Sequence, residues 1–268
     1  MFDKNILIEK AKVIRQEIIK MIYTAGSGHP GGSLSLADIM TCLFFYKMKF
    51  KSNDPNWPDR DRLILSKGHA APVLYACLAE TGYFSKSELN ELRKTNGMLQ
   101  GHPSNKTPGI EISSGSLGQG LSIANGMALA AKLDKKDYGV YVVIGDGELQ
   151  EGQIWEAAMS SSHYKLDNIT AIIDYNSIQL GGFVKDMMNV ESIENKFRSF
   201  GWDVITIAGH NIEEIKNALD KEHEKGTPRV IVAETIKGKG VSFMENKIEW
   251  HGTAPNKEQY EKAMGELK

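Results

Sequence analysis

The chain has 268 residues, of which 41% are apolar and 25% charged, and its formal net charge is −2. These values are ordinary for a globular protein, and the length suits one large α/β domain with a full core. The near-zero charge and the lack of a basic run argue against a nucleic-acid partner. The longest apolar stretch, residues 70–79, is too short to cross a membrane.

The N-terminus and the two cysteines bear on cellular location. The first twenty residues carry charges throughout and lack the apolar segment of a secretory signal. Cys42 and Cys77 each lie in an apolar helical context, which favours buried thiols in a reducing compartment over a disulfide. We therefore expect a cytoplasmic protein.

The first predicted element is an amphipathic helix. Its apolar residues recur at alternating spacings of four and three from Leu7 to Ala25, and Gly26 follows. Residues 26–32 are mostly glycine and proline around His29, which predicts a loop whose backbone can approach a ligand closely. Ser33 or Ser35 is then expected to cap a second helix over residues 36–50.

The next segment combines short regular elements with a long irregular one. A buried strand is predicted over residues 63–65, then Ser66-Lys67-Gly68-His69, a helix over 70–80 and a short helix over 87–94. Residues 97–120 show neither a helical nor a strand period. Such a long irregular stretch inside a compact domain is more often functional than idle. A helix over residues 121–133 follows.

Residues 138–176 carry the strongest local pattern. An apolar run ends in Gly145-Asp146-Gly147, a helix begins near Glu148, and a second apolar run ends in Asp174-Tyr175-Asn176. Ligands of open parallel sheets bind at the carboxyl ends of the strands, where these polar groups could converge. A carboxylate and an amide suit a hard cation that also binds phosphate oxygens. The alternative is a turn that only caps a helix.

The remaining elements complete an alternating pattern. We predict a loop at residues 181–182, helices over 190–200 and 212–224, and strands over 204–208 and 230–233. Two further motifs follow, Lys237-Gly238-Lys239-Gly240 and Trp250-His251-Gly252. Strands that alternate with helices predict an α/β fold, with one parallel sheet covered by helices on both faces. We treat residues 1–268 as a single domain.

Several loop residues admit two interpretations. Four histidines sit beside glycine in predicted loops, and they are either surface residues or parts of one site: His29, His69, His102 and His251. The loop 115–118 is either a plain turn or a cradle for a diphosphate. Lys237 belongs to a solvated turn or to the same site. Glu148, Glu151 and Glu156 are by default carboxylates that favour a helix N-terminus.

Taken together, these motifs resemble one family. Gly145-Asp146-Gly147 followed thirty positions later by Asn176 resembles the thiamine diphosphate motif. GHPGG, SKGHAAPVLYA, GHP, SGSLGQG, GDGELQEG, KGKG and WHG resemble transketolase, in order along essentially the whole chain. The resemblance covers only the diphosphate-binding first domain of transketolases. It therefore implies the N-terminal subunit of a split transketolase, with the pyrimidine-binding and C-terminal domains on a separate chain and a heterotetramer as the assembly.

The resemblance also implies roles for individual residues. Asp146, Asn176 and the carbonyl of Ile178 would bind Mg²⁺ (or Ca²⁺). The thiamine diphosphate would be held by His69, Gly115, Ser116, Leu117, Gly147, Asn176, Lys237 and His251. Catalytic roles would fall to His29, His102, His251 and Glu151, and Glu151 and Glu156 would link two active sites. Gly181 departs from the family pattern, in which an aspartate often precedes the glycine, so the contacts of residues 180–186 are open.

The implied reaction transfers a two-carbon glycolaldehyde unit from a ketose, free or phosphorylated, to an aldose, as in the pentose phosphate pathway. The glutamate that activates the cofactor in this family lies on the absent half, so the chain alone is expected to be inactive. Three alternatives stay open. They are another thiamine enzyme, a split transketolase for a branched or sulfonated sugar, and a non-catalytic cofactor-binding subunit.

Overall fold

The computed structural model describes residues 2–268 and centres on a five-stranded parallel sheet. Seven strands occur in this range: β1 Arg62–Leu65, β2 Val140–Gly145, β3 Ile169–Tyr175, β4 Ile178–Gln179, β5 Gly182–Phe183, β6 Asp203–Ala208 and β7 Arg229–Glu234. The large sheet has the order β1-β2-β3-β7-β6 and every neighbouring pair is parallel. β4 and β5 form a separate antiparallel hairpin. All five carboxyl ends therefore lie at one edge of the sheet.

Helices cover both faces of this sheet, as predicted. They are α1 Lys4–Ala25, α2 Pro30–Leu34, α3 Ala37–Cys42, α4 Ala71–Glu80, α5 Gly120–Leu133, α6 Gly152–His163, α7 Val184–Met187, α8 Ile193–Ser199, α9 Ile212–Asp220 and α10 Lys257–Glu266. Alternate strand residues enter opposite cores: Val143 packs with residues of α1, α3, α4 and α9, whereas Val142 packs with those of α5, α6 and α8. Because both faces are covered, the central strands read as continuous apolar runs.

The first helix and the cysteines agree with their sequence patterns. α1 ends at Gly26, whose φ of 63° is the left-handed conformation that commonly closes a helix. Cys42 and Cys77 are both buried free thiols. Among residues 2–268, no helix combines the length and the apolar character that a membrane crossing requires.

The prediction of one helix over residues 36–50 is wrong. The helical region begins earlier, at Pro30, and is divided into α2, α3 and one π turn over Leu43–Lys47. Proline favours the first position of a helix because its missing N–H is not needed there. Ser35 closes α2 instead of opening a helix, and its hydroxyl donates to the buried carboxylate of Asp174 at 2.7 Å. The hydrogen bond from Ser35 to Asp174 thus accompanies the end of α2 at residue 34, which the sequence pattern alone does not predict.

Other boundaries differ by a few residues. The short helix predicted over 87–94 is a 3₁₀ helix over Lys86–Glu91. The helix predicted over 190–200 begins only after Ser192, which caps it, and the one predicted over 212–224 ends at Asp220. α10 has no counterpart among the predicted elements. It buries only Ala263 within its span, so its apolar period is weak, and a capping box between Asn256 and Gln259 defines its start.

Candidate active site

The carboxyl edge of the sheet opens into a cavity of about 280 Å³. Its walls come from the ends of β1, β2 and β3, from the β4–β5 hairpin, and from the loops that contain Leu117, Lys237 and His251. Residues far apart in the sequence meet here because parallel strands end at the same edge. Most residues that the sequence singled out lie in or beside this cavity.

Asp146 and Asn176 lie side by side at the ends of β2 and β3. Asp146 caps the 3₁₀ turn Gly147–Gln150, and its carboxylate accepts the N–H of Gly147 at 2.8 Å and the N–H of Ser177. Asn176 Oδ1 accepts the N–H of Ile178 at 3.2 Å. Burial, followed by the negative charge of Asp174, raises the pKa of Asp146 to about 6. A nearby cation would reverse this effect by favouring the carboxylate.

The carbonyl of Ile178 completes a group of three oxygens at this position. Lys237 Nζ donates to this carbonyl at 2.9 Å and lies 2.8 Å from His251 Nδ1. Lys237 is 2% exposed. Burial and then the charge of Lys67 lower the pKa of Lys237 to about 7. Lys237 therefore belongs to the cavity and not to a solvated turn, whereas Lys239 in the same motif pairs with Glu245 at 3.3 Å.

A buried ion pair that the sequence patterns do not predict supports the floor of the cavity. Lys67 Nζ donates to Asp174 Oδ2 at 2.5 Å, and the two side chains are 4% and 0% exposed. Thr235 also donates to the Asp174 carboxylate, at 2.5 Å. Burial alone would raise the pKa of Asp174, but the charge and hydrogen bond of Lys67 outweigh it and lower the pKa. The one sign of this pair in the sequence is that Asp174 is a charged residue inside a mostly apolar strand.

Glu148 has a different role from the default interpretation. It is 2% exposed, and its carboxylate accepts the N–H of Gly118 at 2.8 Å, the N–H of Gly145 at 3.1 Å and the hydroxyl of Ser66. Burial raises its pKa, and the hydrogen bond from Ser66 opposes this rise. Glu148 thus fixes the glycine-rich loop to the end of β2.

The four glycine-flanked histidines come together, although they are up to 222 positions apart in the sequence. The ring of His29 lies 5.2 Å from that of His69, 6.4 Å from that of His102 and 5.6 Å from that of His251, centroid to centroid. The rings of His69 and His251 are also 5.2 Å apart. The interpretation as separate surface residues is therefore wrong for this set.

These imidazoles share an environment that keeps them neutral. Burial, with the charge of Arg93 next, lowers the pKa of His29 to about 4. Burial and Lys237 lower the pKa of His251 to about 3. Burial also lowers the pKa of His69, with Lys67 next, and that of His102, with Arg93 next. The Nδ1 atom of His29 is buried and has no hydrogen-bond partner in the described part of the chain.

The loop over residues 115–118 lies next to His102. A Cβ atom on Gly115 would meet His102 Cδ2 at 3.2 Å, and Gly115 has a φ of 155°. Leu117 lines the cavity, whereas Ser116 is exposed. Glu151 is exposed at the cavity rim, and Glu156 is exposed on α6 outside the cavity lining. The structure therefore brings together every predicted site residue except Ser116 and Glu156, which point towards solvent.

The donor set fits a divalent cation and a diphosphate. Asp146, Asn176 and the Ile178 carbonyl offer the hard oxygen ligands that Mg²⁺ and Ca²⁺ prefer. Within residues 2–268, no three His, Cys, Asp or Glu side chains form a metal-binding group, so a cation here would also need ligand oxygens. Lys67 and Lys237 supply positive charge beside the three oxygens. A Cβ on Gly147 would meet Gln179 at 3.1 Å, so a side chain at this position would crowd the β4–β5 hairpin beside the cavity.

Comparison with known proteins agrees with this chemistry. Residues 7–267 match the profile of the family described as transketolase, thiamine diphosphate binding domain. The chain is 44% identical over 263 residues to a 6-deoxy-6-sulfo-D-fructose transketolase subunit of a Clostridium species, with 97% of this chain and 96% of the relative covered. It is 42% identical over 256 residues to an apulose-4-phosphate transketolase subunit of Phocaeicola vulgatus, with 94% and 90% covered.

Solved structures show the same fold. The transketolase of Campylobacter jejuni superposes with a TM-score of 0.95 at 37% identity. The alignment covers 99% of this chain but 43% of that one. The chain thus spans about two fifths of the length of this transketolase, and nearly the full length of the two subunit relatives.

Proposed function

Because this chain belongs to the transketolase family, through its thiamine diphosphate-binding domain, we propose that it is the cofactor-binding subunit of a two-chain transketolase. The enzyme would transfer a two-carbon glycolaldehyde unit from a ketose, or ketose phosphate, to an aldose. One observation carries the proposal: a single cavity joins the oxygens of Asp146, Asn176 and Ile178, two buried lysines, His69 and His251, and the rings of His29 and His102 lie next to these histidines.

The oxygens would hold Mg²⁺, or Ca²⁺ in its place. Lys237, His69, Gly147, Asn176 and the loop 115–117 would hold the diphosphate, and His251 would lie beside the cofactor. Thiamine diphosphate, when bound, supplies the electron sink for breaking and remaking a carbon–carbon bond next to a carbonyl. The chain's own residues orient the reactants, exclude water and move protons.

The histidines suit proton transfer and the binding of sugar hydroxyls. At pH 7 the low pKa values of His29 and His251 leave both rings neutral, so each ring has one donor and one acceptor nitrogen. The buried Nδ1 of His29 has no hydrogen-bond partner among residues 2–268, which supports a polar role for this ring beside the cavity. We assign His29, His102 and His251 to substrate contacts. We assign contacts with a second protomer to Glu151, which is exposed at the cavity rim, and to Glu156, which is exposed on α6.

A second chain would complete the site. The two subunit relatives have nearly the length of this chain, which supports a C-terminal subunit that supplies the pyrimidine-binding half. Two copies of each chain in a heterotetramer would give two active sites. We propose that residues 1–268 form one domain. We propose no nucleic-acid or membrane partner.

A narrower function is a second candidate. The two relatives are named for a sulfonated ketose and for a branched sugar phosphate. Their similarity favours testing such sugars as donors for this chain. By the resemblance to transketolases, most of the residues that would bind a phosphate or sulfonate at the far end of the sugar would lie on the proposed partner.

The decisive experiment reconstitutes the enzyme. The chain is co-expressed with the neighbouring reading frame that encodes a transketolase C-terminal half, and is supplied with thiamine diphosphate and Mg²⁺. Donors are fructose 6-phosphate, xylulose 5-phosphate, 6-deoxy-6-sulfofructose and apulose 4-phosphate. We expect two-carbon transfer only when both chains are present. Transfer by this chain alone would contradict the two-chain proposal, and a mixture that binds the cofactor without transferring would favour a non-catalytic role.

A further inference from the structure

Asp174 is a fully buried carboxylate to which none of the roles above is assigned. It is the sixth residue of β3 and is 0% exposed. Four side chains from different parts of the chain donate to it: Ser35 at 2.7 Å, Lys67 at 2.5 Å, Thr235 at 2.5 Å and Asn176 at 3.2 Å. These donors follow α2, β1, β7 and β3 respectively. Asp174 thus connects the segments that surround the cavity.

The contact with Asn176 has a chemical consequence. An amide side chain has an oxygen end that accepts and a nitrogen end that donates, and only the oxygen can bind a cation. Asp174 Oδ2 accepts from Asn176 Nδ2, while Asn176 Oδ1 lies on the other side, 3.2 Å from the N–H of Ile178. The buried carboxylate and the N–H of Ile178 therefore favour the same orientation of the amide, with its nitrogen towards Asp174 and its oxygen on the side of Ile178.

We infer that Asp174 is a positioning residue for the cation site, which fixes the Asn176 amide with its oxygen towards the cation and holds Lys67 beside the cavity. This inference rests on the proposed function, because it assumes that Asp146, Asn176 and Ile178 hold a divalent cation. Residues that hydrogen-bond to metal ligands commonly fix the orientation of those ligands, and their loss typically weakens metal binding by roughly 10- to 100-fold.

The number of donors explains why the residue is an aspartate. An ionised carboxylate accepts at both oxygens and has no donor. Asp174 Oδ2 accepts from Ser35, Lys67 and Asn176, and Oδ1 accepts from Thr235. An asparagine of the same shape would direct an NH₂ group at some of them. The hydroxyls of Ser35 and Thr235 could rotate to accept, but the Lys67 ammonium has only donors. A neutral amide oxygen also holds the Asn176 Nδ2 less strongly than a carboxylate does, so the orientation of the Asn176 amide would then depend mainly on the N–H of Ile178.

The test measures Mn²⁺ binding by electron paramagnetic resonance of the free ion, with saturating thiamine diphosphate and the full chain. We expect Asp174→Asn to weaken Mn²⁺ binding at least tenfold. Asp61→Asn is the matched control. Asp61 is a buried carboxylate at the opposite edge of the sheet, where it accepts the N–H groups of Lys49 and Gly139 at 2.7 Å each. It should retain wild-type Mn²⁺ affinity even if its Tm falls.

A second pair of variants separates orientation from charge. In Asn176→Asp both ends of the side chain are oxygens, so no end needs to be selected, although one oxygen then faces Asp174 Oδ2 in place of the Nδ2 donor. We expect Asp174→Asn to leave Mn²⁺ affinity undiminished in this background, because it also removes the repulsion between the two carboxylates. Equal losses in both backgrounds would mean that only the charge of Asp174 matters, and would overturn the inference.

Two further outcomes are informative. If Asp174→Asn does not fold, the double variant Lys67→Met, Asp174→Asn is compared with Lys67→Met and with the wild type. The double variant leaves neither a buried lysine nor a buried carboxylate unpaired. Mn²⁺ affinity undiminished from that of the wild type would also overturn the inference. A wild-type chain that binds neither Mn²⁺ nor thiamine diphosphate would instead refute the proposed function. Normal wild-type binding with an unaffected Asp174→Asn variant would refute only the positioning role.

Discussion

At the scale of single residues, the site combines groups whose ordinary charges have been suppressed. His29 and His251 are held neutral by burial and by neighbouring positive charge, and Lys237 has a pKa lowered to about 7 for the same reasons. Such a cluster of uncharged donors and acceptors costs stability in the empty protein, because the unfolded chain can protonate freely. Perturbed groups in a cleft are typical of functional sites.

This suppression predicts how stability depends on pH. The pKa of His29 is about 4 in the folded chain and ordinarily 6.5, so below pH 6.5 the unfolded state binds a proton that the folded state does not. The free energy of unfolding should therefore fall as the pH is lowered from 7 to 5. His29→Gln removes this contribution, and we expect its Tm to decline less than that of the wild type over this interval.

Thermal unfolding followed by circular dichroism at several pH values checks this prediction. The pKa of Asp146 is raised from 3.8 to about 6, so Asp146 should increase the free energy of unfolding as the pH falls from 6 to 4. The wild type and His29→Gln both contain Asp146, so this contribution cancels when their Tm values are compared. Parallel Tm curves for the two proteins would show that His29 is not protonated differently in the folded and unfolded states.

At the scale of elements, the first residue of α5 packs closely against the residue that follows β1. These residues are Gly120 and Ser66. A Cβ on Gly120 would lie 2.3 Å from Ser66 Oγ and 3.1 Å from Ser66 Cα. The N–H of Gly120 donates to Ser66 Oγ at 3.1 Å, and this hydroxyl in turn donates to Glu148. The helix can therefore begin here only because position 120 has no side chain.

A matched pair of substitutions on α5 tests this contact. Gly120→Ala should lower the free energy of unfolding by about 1–3 kcal/mol, since the added methyl group displaces Ser66. Gly126→Ala, in the same helix, meets nothing within 4 Å and should raise it by about 0.5–1 kcal/mol. Urea titration measures both. Equal effects of the two substitutions on the free energy of unfolding would mean that the close contact with Ser66 does not exclude a side chain at position 120.

At the scale of the whole molecule, the proposed cofactor site is assembled from segments that are far apart in the sequence. Asp146 follows β2, Lys67 follows β1, and Lys237 and His251 follow β7, the last strand. A ligand that binds all of these at once binds only the folded chain. Such a ligand stabilises the fold by mass action, by about 2.7 kcal/mol at a concentration roughly one hundred times its Kd.

We therefore expect thiamine diphosphate with Mg²⁺ to raise the Tm of the purified chain by roughly 5–10 °C at such a concentration. Thiamine without the diphosphate should give a much smaller shift, because it lacks the groups that the cation and the lysines bind. Asp146→Ala should abolish the shift, since it removes the charged oxygen ligand. An Asp146→Ala chain with the wild-type shift would contradict the metal assignment. Differential scanning fluorimetry is sufficient for this measurement.

The sequence by itself determined the fold class, and it singled out most of the residues that line the candidate site. Continuous apolar runs, alternation with helices and glycine next to Asp146, His29 and His69 are local features, and local features can be read without coordinates. The resemblance to transketolase gave roles to residues whose chemistry alone left two interpretations open.

Only the tertiary structure decided which charges are buried and what they contact. Glu148 and Asp174 look like other acidic residues in the sequence, but Glu148 holds the amides of Gly118 and Gly145, and Asp174 binds Lys67. The same applies to Ser35, whose position before a helix suggested a cap, although its hydroxyl reaches β3. The physical reason is that a buried polar group needs partners, and the strand order brings those partners from more than a hundred residues away.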